Sequence, residues 1–362
     1  MWRTRDGSTG RLLQLCAGYF GFYVITGLSV KYFQSTRVGF PGMNGMEYLI
    51  YSTASSTLLA TFVAVALGWF RMDSVRRIHI LGLSIPSELL YIIPSGVCTA
   101  VVIPTTTLLY SFQTISVMVA MVLMRGAVII IGRAVDAIQI RQGILQKKVF
   151  AEENWAVLFA LLAVSVKILN GGEPGKANPF TSLAVVSIFT SYILAYSLRI
   201  YIMNYYKNTR PSGPRRDNNK GFFTAEQLSS TLTIWITALV LIWLSRRLNW
   251  TNVIFDQLNR SVVQPHQSWM WAMVFGASFG VVAFFSVFIF MFKGRTATFA
   301  GLVNRLTSLI AGTTSTLLFA LLFGGRFPEL IDWISLIFIL IAVAFLTIAE
   351  KKRARELALQ TT

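Results

Sequence analysis

Residues suited to acid–base or metal chemistry are scarce in this chain. Its 362 residues include two histidines, two cysteines and fifteen acidic side chains. His79 and His266 fall in polar segments between apolar runs, on opposite sides of the span assignment given below. No DxD-like or HxxxD-like cluster lies nearby. A membrane-embedded lipid or glycosyl transferase needs an acid–base pair or a metal, so that class is disfavoured. Cys16 and Cys98 both lie inside apolar stretches, and no Cys/His spacing suits a metal. Neither a disulfide framework, a metal nor a cofactor is expected. Charge is also sparse: Asp, Glu, Lys and Arg together make 13% of the chain, about half the usual share of a soluble domain.

Apolar sequence takes the place of that charge. The chain is 54% hydrophobic with a mean hydropathy of +0.61. Several runs reach about twenty residues, the length that crosses a hydrocarbon core as a helix. These features define an all-α polytopic membrane protein whose first partner is the lipid bilayer. The net charge of +17 does not point to nucleic acid, because the basic residues sit in short loops and set topology. The N-terminus carries Arg3, Arg5 and Arg11 ahead of an apolar stretch without a small-x-small cleavage site. It reads as a retained first helix rather than a removed signal peptide.

Ten spans are expected, near 11–33, 47–70, 90–112, 115–138, 155–170, 180–206, 229–247, 268–292, 297–324 and 329–349. The segment 133–154 reads as partly interfacial and amphipathic. Loops rich in Gly, Pro and charge separate the spans, and the most polar of them, within 207–228, falls at the midpoint. The N-terminus, the 2–3, 4–5, 6–7 and 8–9 loops and the tail 350–362 hold most of the lysines and arginines. The opposite loops hold only Lys31, Arg37, Lys176, Arg246, Arg247, Arg260 and Arg326. This bias places both termini in the cytoplasm. The membrane would be Golgi or endoplasmic reticulum in a eukaryote and the inner membrane in a bacterium.

The spans repeat. Ser116–Gly132 and Thr296–Gly312 lie 180 positions apart, and each is apolar around one arginine, Arg125 and Arg305. Shifting spans two to five by 180 places each on a span of the second half, and Gly96 falls on Gly276. Span one matches span six more loosely. The expected architecture is therefore a 5+5 inverted repeat, about 11–170 and 180–349, with residues 1–206 holding the first unit and the opening helix of the second. An odd number of spans per unit turns the units opposite ways, as in secondary transporters with a midplane site.

Arg125 and Arg305 lie about ten residues into their spans, near the bilayer centre. A charge there costs several kcal/mol, and arginine does not shed it. Each either pairs with a carboxylate or carbonyls in the bundle or faces a cavity and binds an anion. Only Glu88 and Asp136 read as carboxylates near membrane depth, both close to helix ends, while Glu47, Asp332 and Glu350 read as interfacial. The shortage of deep carboxylates favours an anion site, and the planar guanidinium fork suits phosphate.

Gly301-Leu302-Val303-Asn304-Arg305 resembles the G-A-L-N-K motif of nucleotide-sugar transporters, with Arg for Lys. The continuation LLFALLFGGRFPELIDWISLIFIL resembles the ending of their last two helices, and Met124-Arg125-Gly126-Ala127-Val128 resembles the fourth helix of related solute-carrier branches. The chain thus resembles the drug/metabolite transporter superfamily, nearest its nucleotide-sugar branch. That resemblance implies exchange of a nucleotide sugar or other phosphorylated metabolite by alternating access. It assigns Arg125 and Arg305 to phosphate, with Asn304 beside Arg305. The glycine–glutamate turn usual after the fourth helix of bacterial members is absent, and so is the FYNN-type motif of the GDP-sugar branch. The closest alternative is a drug, amino-acid or other small-metabolite exporter of the same superfamily. A homodimer is compatible with either.

Lesser candidates remain. Tyr110 and Gln113 follow the Thr105–Thr107 run and are read as a gate or polar lining. Glu88, Asp136, Lys167 and Arg199 form a second group, for a gate or an ion pair. Lys167 also reads as a snorkelling side chain, and Tyr196, Tyr201, Tyr205 and Tyr206 around Arg199 as an aromatic belt. Gly18, Gly21 and Gly27 are read as packing positions. Asn249 and Asn259 head N-glycosylation sequons.

Overall fold

The computed structural model describes residues 8–69, 74, 76–80, 83–111, 117–145, 149–170, 183–210, 218–248, 253–325, 327–328 and 330–359. At 80, 83, 107–111, 117–123, 167–170, 218, 253–254 and 357–358 it describes the backbone alone. Twelve helices are seen among these residues: α1 Thr9–Gln34, α2 Gly45–Ala66, α3 Leu89–Ser111, α4 Val117–Arg141, α5 Ala151–Asn170, α6 Leu183–Thr209, α7 Asn218–Arg247, α8 Val253–Val263, α9 Trp269–Gly276, α10 Ser278–Phe290, α11 Ala297–Phe323 and α12 Leu330–Leu359. One antiparallel hairpin, β1 Arg77–Ile80 and β2 Leu83–Pro86, precedes α3. Hydropathy does not reveal this hairpin or the short helix α8.

Among the described residues, eight helical segments are long and apolar enough to cross a membrane: α1, α2, most of α3, α6, α7, the α9–α10 pair as one 22-residue unit, α11 and α12. The protein is therefore an all-α, multi-pass integral membrane protein. Helices α4 and α5 occupy the fourth and fifth expected segments but fall outside those eight. The polarity is inside-out in the sense a bilayer demands. Leu13, Phe62, Leu183, Leu194, Leu239 and Leu321 point outward, while Ser55, Ser56, Thr57, Thr224, Glu226 and Ser230 are buried.

Local chemistry starts and stops several helices. The Asn44 side chain accepts from Met46 N, and Glu47 reaches back to the Asn44 amide, a capping box that opens α2. Thr296 caps α11 by accepting from Phe299 N at 3.1 Å, and Gly324 ends it in the left-handed region at φ 65°. α7 begins at Asn218, well before the expected 229, and α6 runs on to Thr209, so much of the 207–228 stretch is helical. α12 continues through most of the basic tail to Leu359.

Helix α1 packs on α10 and α11, and α6 packs on α3 and α4. α2 lies against α9 and α10, and α3 lies against α7. α5 and α12 lie side by side, as do α4 and α11. Close approaches hold two of these seams. A Cβ built on Gly96 of α3 would stand 2.5 Å from Ser229 Cβ of α7. One on Gly276 of α9 would stand 2.5 Å from Ser52 Cα of α2. Gly18 and Gly27 of α1 likewise meet Phe285 and Ser315, whereas Gly21 meets nothing within 4 Å.

Candidate functional site

Four tyrosines and two arginines meet where α1, α4, α6 and α11 come together. Helix α1 brings Tyr19 and Tyr23, one turn apart, with ring centroids at 5.5 Å. Helix α6 brings Tyr192 and Tyr196 with the same spacing and centroids at 5.3 Å. Arg125 of α4 donates to the Tyr23 hydroxyl at 3.4 Å. Arg305 of α11 donates to the Tyr196 hydroxyl and lies over that ring, 5.0 Å from its centroid. Asn304 accepts from Tyr19 at 3.4 Å and donates to Ser286 of α10 at 2.9 Å. Tyr19, Tyr23 and Tyr192 are also electrostatic neighbours of Arg305, and Tyr19 neighbours both arginines. A Cβ on Gly312, two turns beyond Arg305, would stand 4.0 Å from the Arg125 guanidinium.

Neither arginine makes an ion pair with a carboxylate among the described residues, and buried Nε of Arg305 has no hydrogen-bond partner there. The phenol oxygens of Tyr23 and Tyr196 accept from them instead. Two permanent cations thus share one tyrosine-walled region without a carboxylate partner among the described residues.

Arg199, one turn beyond Tyr196, has the opposite fate. It donates to Glu226 of α7 through Nε at 2.9 Å and through a terminal nitrogen at 3.1 Å. Ser95 and Thr99 of α3 donate to the same carboxylate at 2.7 and 3.2 Å. Arg199 is thus the cation of a fully buried ion pair. Glu226 was not among the carboxylates expected at depth, because its surroundings, NNKGFFTAEQLSS, read as loop by hydropathy. They lie in α7 with Thr224, Glu226, Gln227 and Ser230 all buried. Tyr196 and Tyr206 are buried at 6% and 0% exposure, so an interfacial belt does not describe them.

Asp136 sits at the end of the bundle, away from the tyrosines. Its two oxygens accept from Ala297 N at 2.7 Å and Thr298 N at 2.6 Å, closing the α11 N-terminus. Nearby, Glu153 of α5 accepts from Thr296 at 2.7 Å and pairs with Arg353 of α12 at 3.4 Å. Arg295 pairs with Glu350, which also accepts from Thr9 at 2.9 Å. A buried polar layer therefore ties α4 and α5 to α11 and α12 at this end. Glu88 lies before α3 and accepts from Ser74 at 2.6 Å. Gln113 and the side chains of Tyr110 and Lys167 lie outside the described residues, as does Asn249. Asn259 donates to Ser245 at 3.1 Å.

The sequence singles out both arginines and Asn304; of the four tyrosines it singles out Tyr196 alone, and as a belt residue. Tyr19/Tyr23 and Tyr192/Tyr196 are both Tyr-x-x-x-Tyr pairs in helices that open the two halves of the span pattern, but Tyr201/Tyr205 has the same spacing, so the motif alone does not mark them.

No protein-family model and no curated protein matches the chain. Solved structures do match. One crystal structure, whose description names no function, superposes with a TM-score of 0.56 over 95% of this chain and 99% of that one, at 12% identity. At that identity the likeness concerns the fold alone.

Proposed function

We propose that this protein is a secondary transporter of an organic anion, with a nucleotide sugar or another phosphorylated metabolite as the favoured substrate class. The observation that carries this reading is the contrast between the buried arginines. Among the described residues Arg199 has a carboxylate, Arg125 has a phenol, and Arg305 has a phenol and an open Nε. Two uncompensated cations at membrane depth are costly unless an anion joins them. Phosphate oxygens fit the guanidinium fork, and tyrosine faces suit a flat ring such as a nucleobase. The resemblance of residues 301–305 to the nucleotide-sugar motif points the same way.

In this reading α4 and α5 also cross the bilayer, giving ten spans in two inverted five-helix units with both termini cytoplasmic. Paired features support the duplication. Tyr23 serves Arg125 as Tyr196 serves Arg305. Gly96 on Ser229 corresponds to Gly276 on Ser52, and α1 packs on α10 and α11 as α6 packs on α3 and α4. The units rock about the shared site, and the polar layer of Asp136, Glu153, Arg295, Glu350 and Arg353 is the closed gate at one end. Substrate binding neutralises the arginines and lets the units reorient; the exchanged anion returns them.

The test is uptake of labelled nucleotide sugars and sugar phosphates into proteoliposomes. Uptake of one such ligand by the native chain, lost in both Arg125→Ala and Arg305→Ala, supports the proposal. Uptake by Arg305→Ala equal to that of the native chain would sink the site assignment. Saturable movement of uncharged or cationic compounds alone would favour the exporter alternative.

A further inference from the structure

A groove of about 410 Å³ runs down the outside of the bundle between α3 and α7. Its walls include Leu89, Ile93 and Val97 on α3 and Ala225, Leu232 and Ile236 on α7. Its floor is the α3–α7 contact, where Ser229 donates to Ile93 O at 3.0 Å and closes on Gly96. The wall hydroxyls are spent on backbone carbonyls: Thr224 on Lys220 O at 2.9 Å, and Thr233 on Ser229 O at 2.8 Å. The groove therefore offers hydrocarbon and no free polar group on those walls. Ile93, Val97, Leu232 and Ile236 are each 40–60% exposed, as befits a surface that faces acyl chains.

One end of the groove is basic. It opens at the first residues of α3 and α7, at Leu89 and Gly221. Lys220, which precedes Gly221, lies over the Trp69 ring, 5.6 Å from its centroid. The Arg76 carbonyl accepts from Ser87 N at 2.9 Å, which fixes Arg76 two residues from Leu89, and both Arg76 and Arg77 are exposed. From Gly221 to Ile236 the groove follows α7 for fifteen residues, roughly 22 Å at the helical rise. That exceeds the depth of one leaflet, about 15 Å of hydrocarbon.

We infer that this groove is a binding site for one anionic phospholipid, its phosphodiester held at Arg76 and Arg77 and one acyl chain laid between α3 and α7. An apolar trough alone would accept any chain. The basic mouth selects the headgroup, since each lysine or arginine near a membrane surface attracts an anionic lipid. The site is independent of what the protein transports.

Native mass spectrometry of the purified chain, with phosphatidylglycerol and phosphatidylcholine of identical acyl chains, tests the inference. The native chain should retain one phosphatidylglycerol more tightly than phosphatidylcholine by on the order of tenfold. Arg76→Glu with Arg77→Glu should remove that preference while leaving weak retention of both lipids. Ala225→Phe, which fills the groove, should lose both, with unchanged melting in lipid-free detergent. Val97→Phe serves if Ala225→Phe fails to fold. Equal retention of the two lipids by the native chain would overturn the site. So would retention of phosphatidylglycerol by both groove-filling variants.

Discussion

Glu226 receives Arg199 through two hydrogen bonds, 2.9 and 3.1 Å long, in the middle of a helix bundle. The pair joins α6 to α7, and Ser95 and Thr99 tie α3 to the same carboxylate. It neutralises one of the deep arginines, which makes the other two informative.

Breaking that pair from one side leaves a buried charge alone. Glu226→Ala is expected to destabilise the protein by about 3–5 kcal/mol, whereas Arg199→Met combined with Glu226→Leu should lose much less. Denaturant unfolding in detergent measures both. Equal losses for the single and double variants would show that the pair acts through shape rather than charge.

Arg125→Ala and Arg305→Ala should behave differently. Each removes a buried cation that has no carboxylate partner among the described residues, so the ligand-free variants should melt at or above the native temperature. A phosphorylated ligand at a hundred times its dissociation constant should stabilise the native chain by about 2.7 kcal/mol and neither variant. Thermal shift reads both effects. Earlier melting of the ligand-free variants would mark the arginines as structural.

Arg305→Lys should keep the charge but lose the fork that donates in parallel. Its expected phenotype is weakened phosphate binding with near-native stability, measured by competition against the native ligand. Binding as tight as native would mean that a point charge suffices.

The helix contacts at glycine predict a graded series. Gly276→Ala places its Cβ 2.5 Å from the backbone of Ser52, and Gly96→Ala places one 2.7 Å from Glu226 O. Each should cost about 1–3 kcal/mol by overpacking. Gly21→Ala, with nothing within 4 Å, should cost little. Melting temperatures of the three variants in one detergent decide it.

The polar layer predicts a change in access. Ala300 in α11 is 1% exposed. In a chain with Cys16→Ser, Cys98→Ala and Ala300→Cys, a membrane-impermeant thiol reagent should react slowly. If the layer closes a path, adding Glu153→Gln and Arg353→Ala should speed labelling several-fold. Unchanged labelling would show that the layer holds helices together without closing a path.

Composition alone determined that this chain lives in a bilayer. Runs of about twenty apolar residues have no other low-energy place, and helices satisfy every backbone group there. Sequence spacing also brought out Arg125, Arg305 and their common offset, because a lone charge in an apolar run stands out without knowledge of its neighbours. What it left undecided was which charge meets which partner. Arg199 and Glu226 lie 27 positions apart on different helices, and no periodicity encodes that meeting. The stretch holding Glu226 looked like loop because hydropathy assumes that polar residues face water. In α7 they face other helices, where hydroxyls and an arginine do the work of solvent. Asp136 likewise became a helix cap only when α4 was laid alongside α11, with its last turns at the α11 N-terminus. Tertiary packing thus decided that Arg199 meets a carboxylate while Arg125 and Arg305 meet phenols, because that depends on distances of a few ångströms between separate helices.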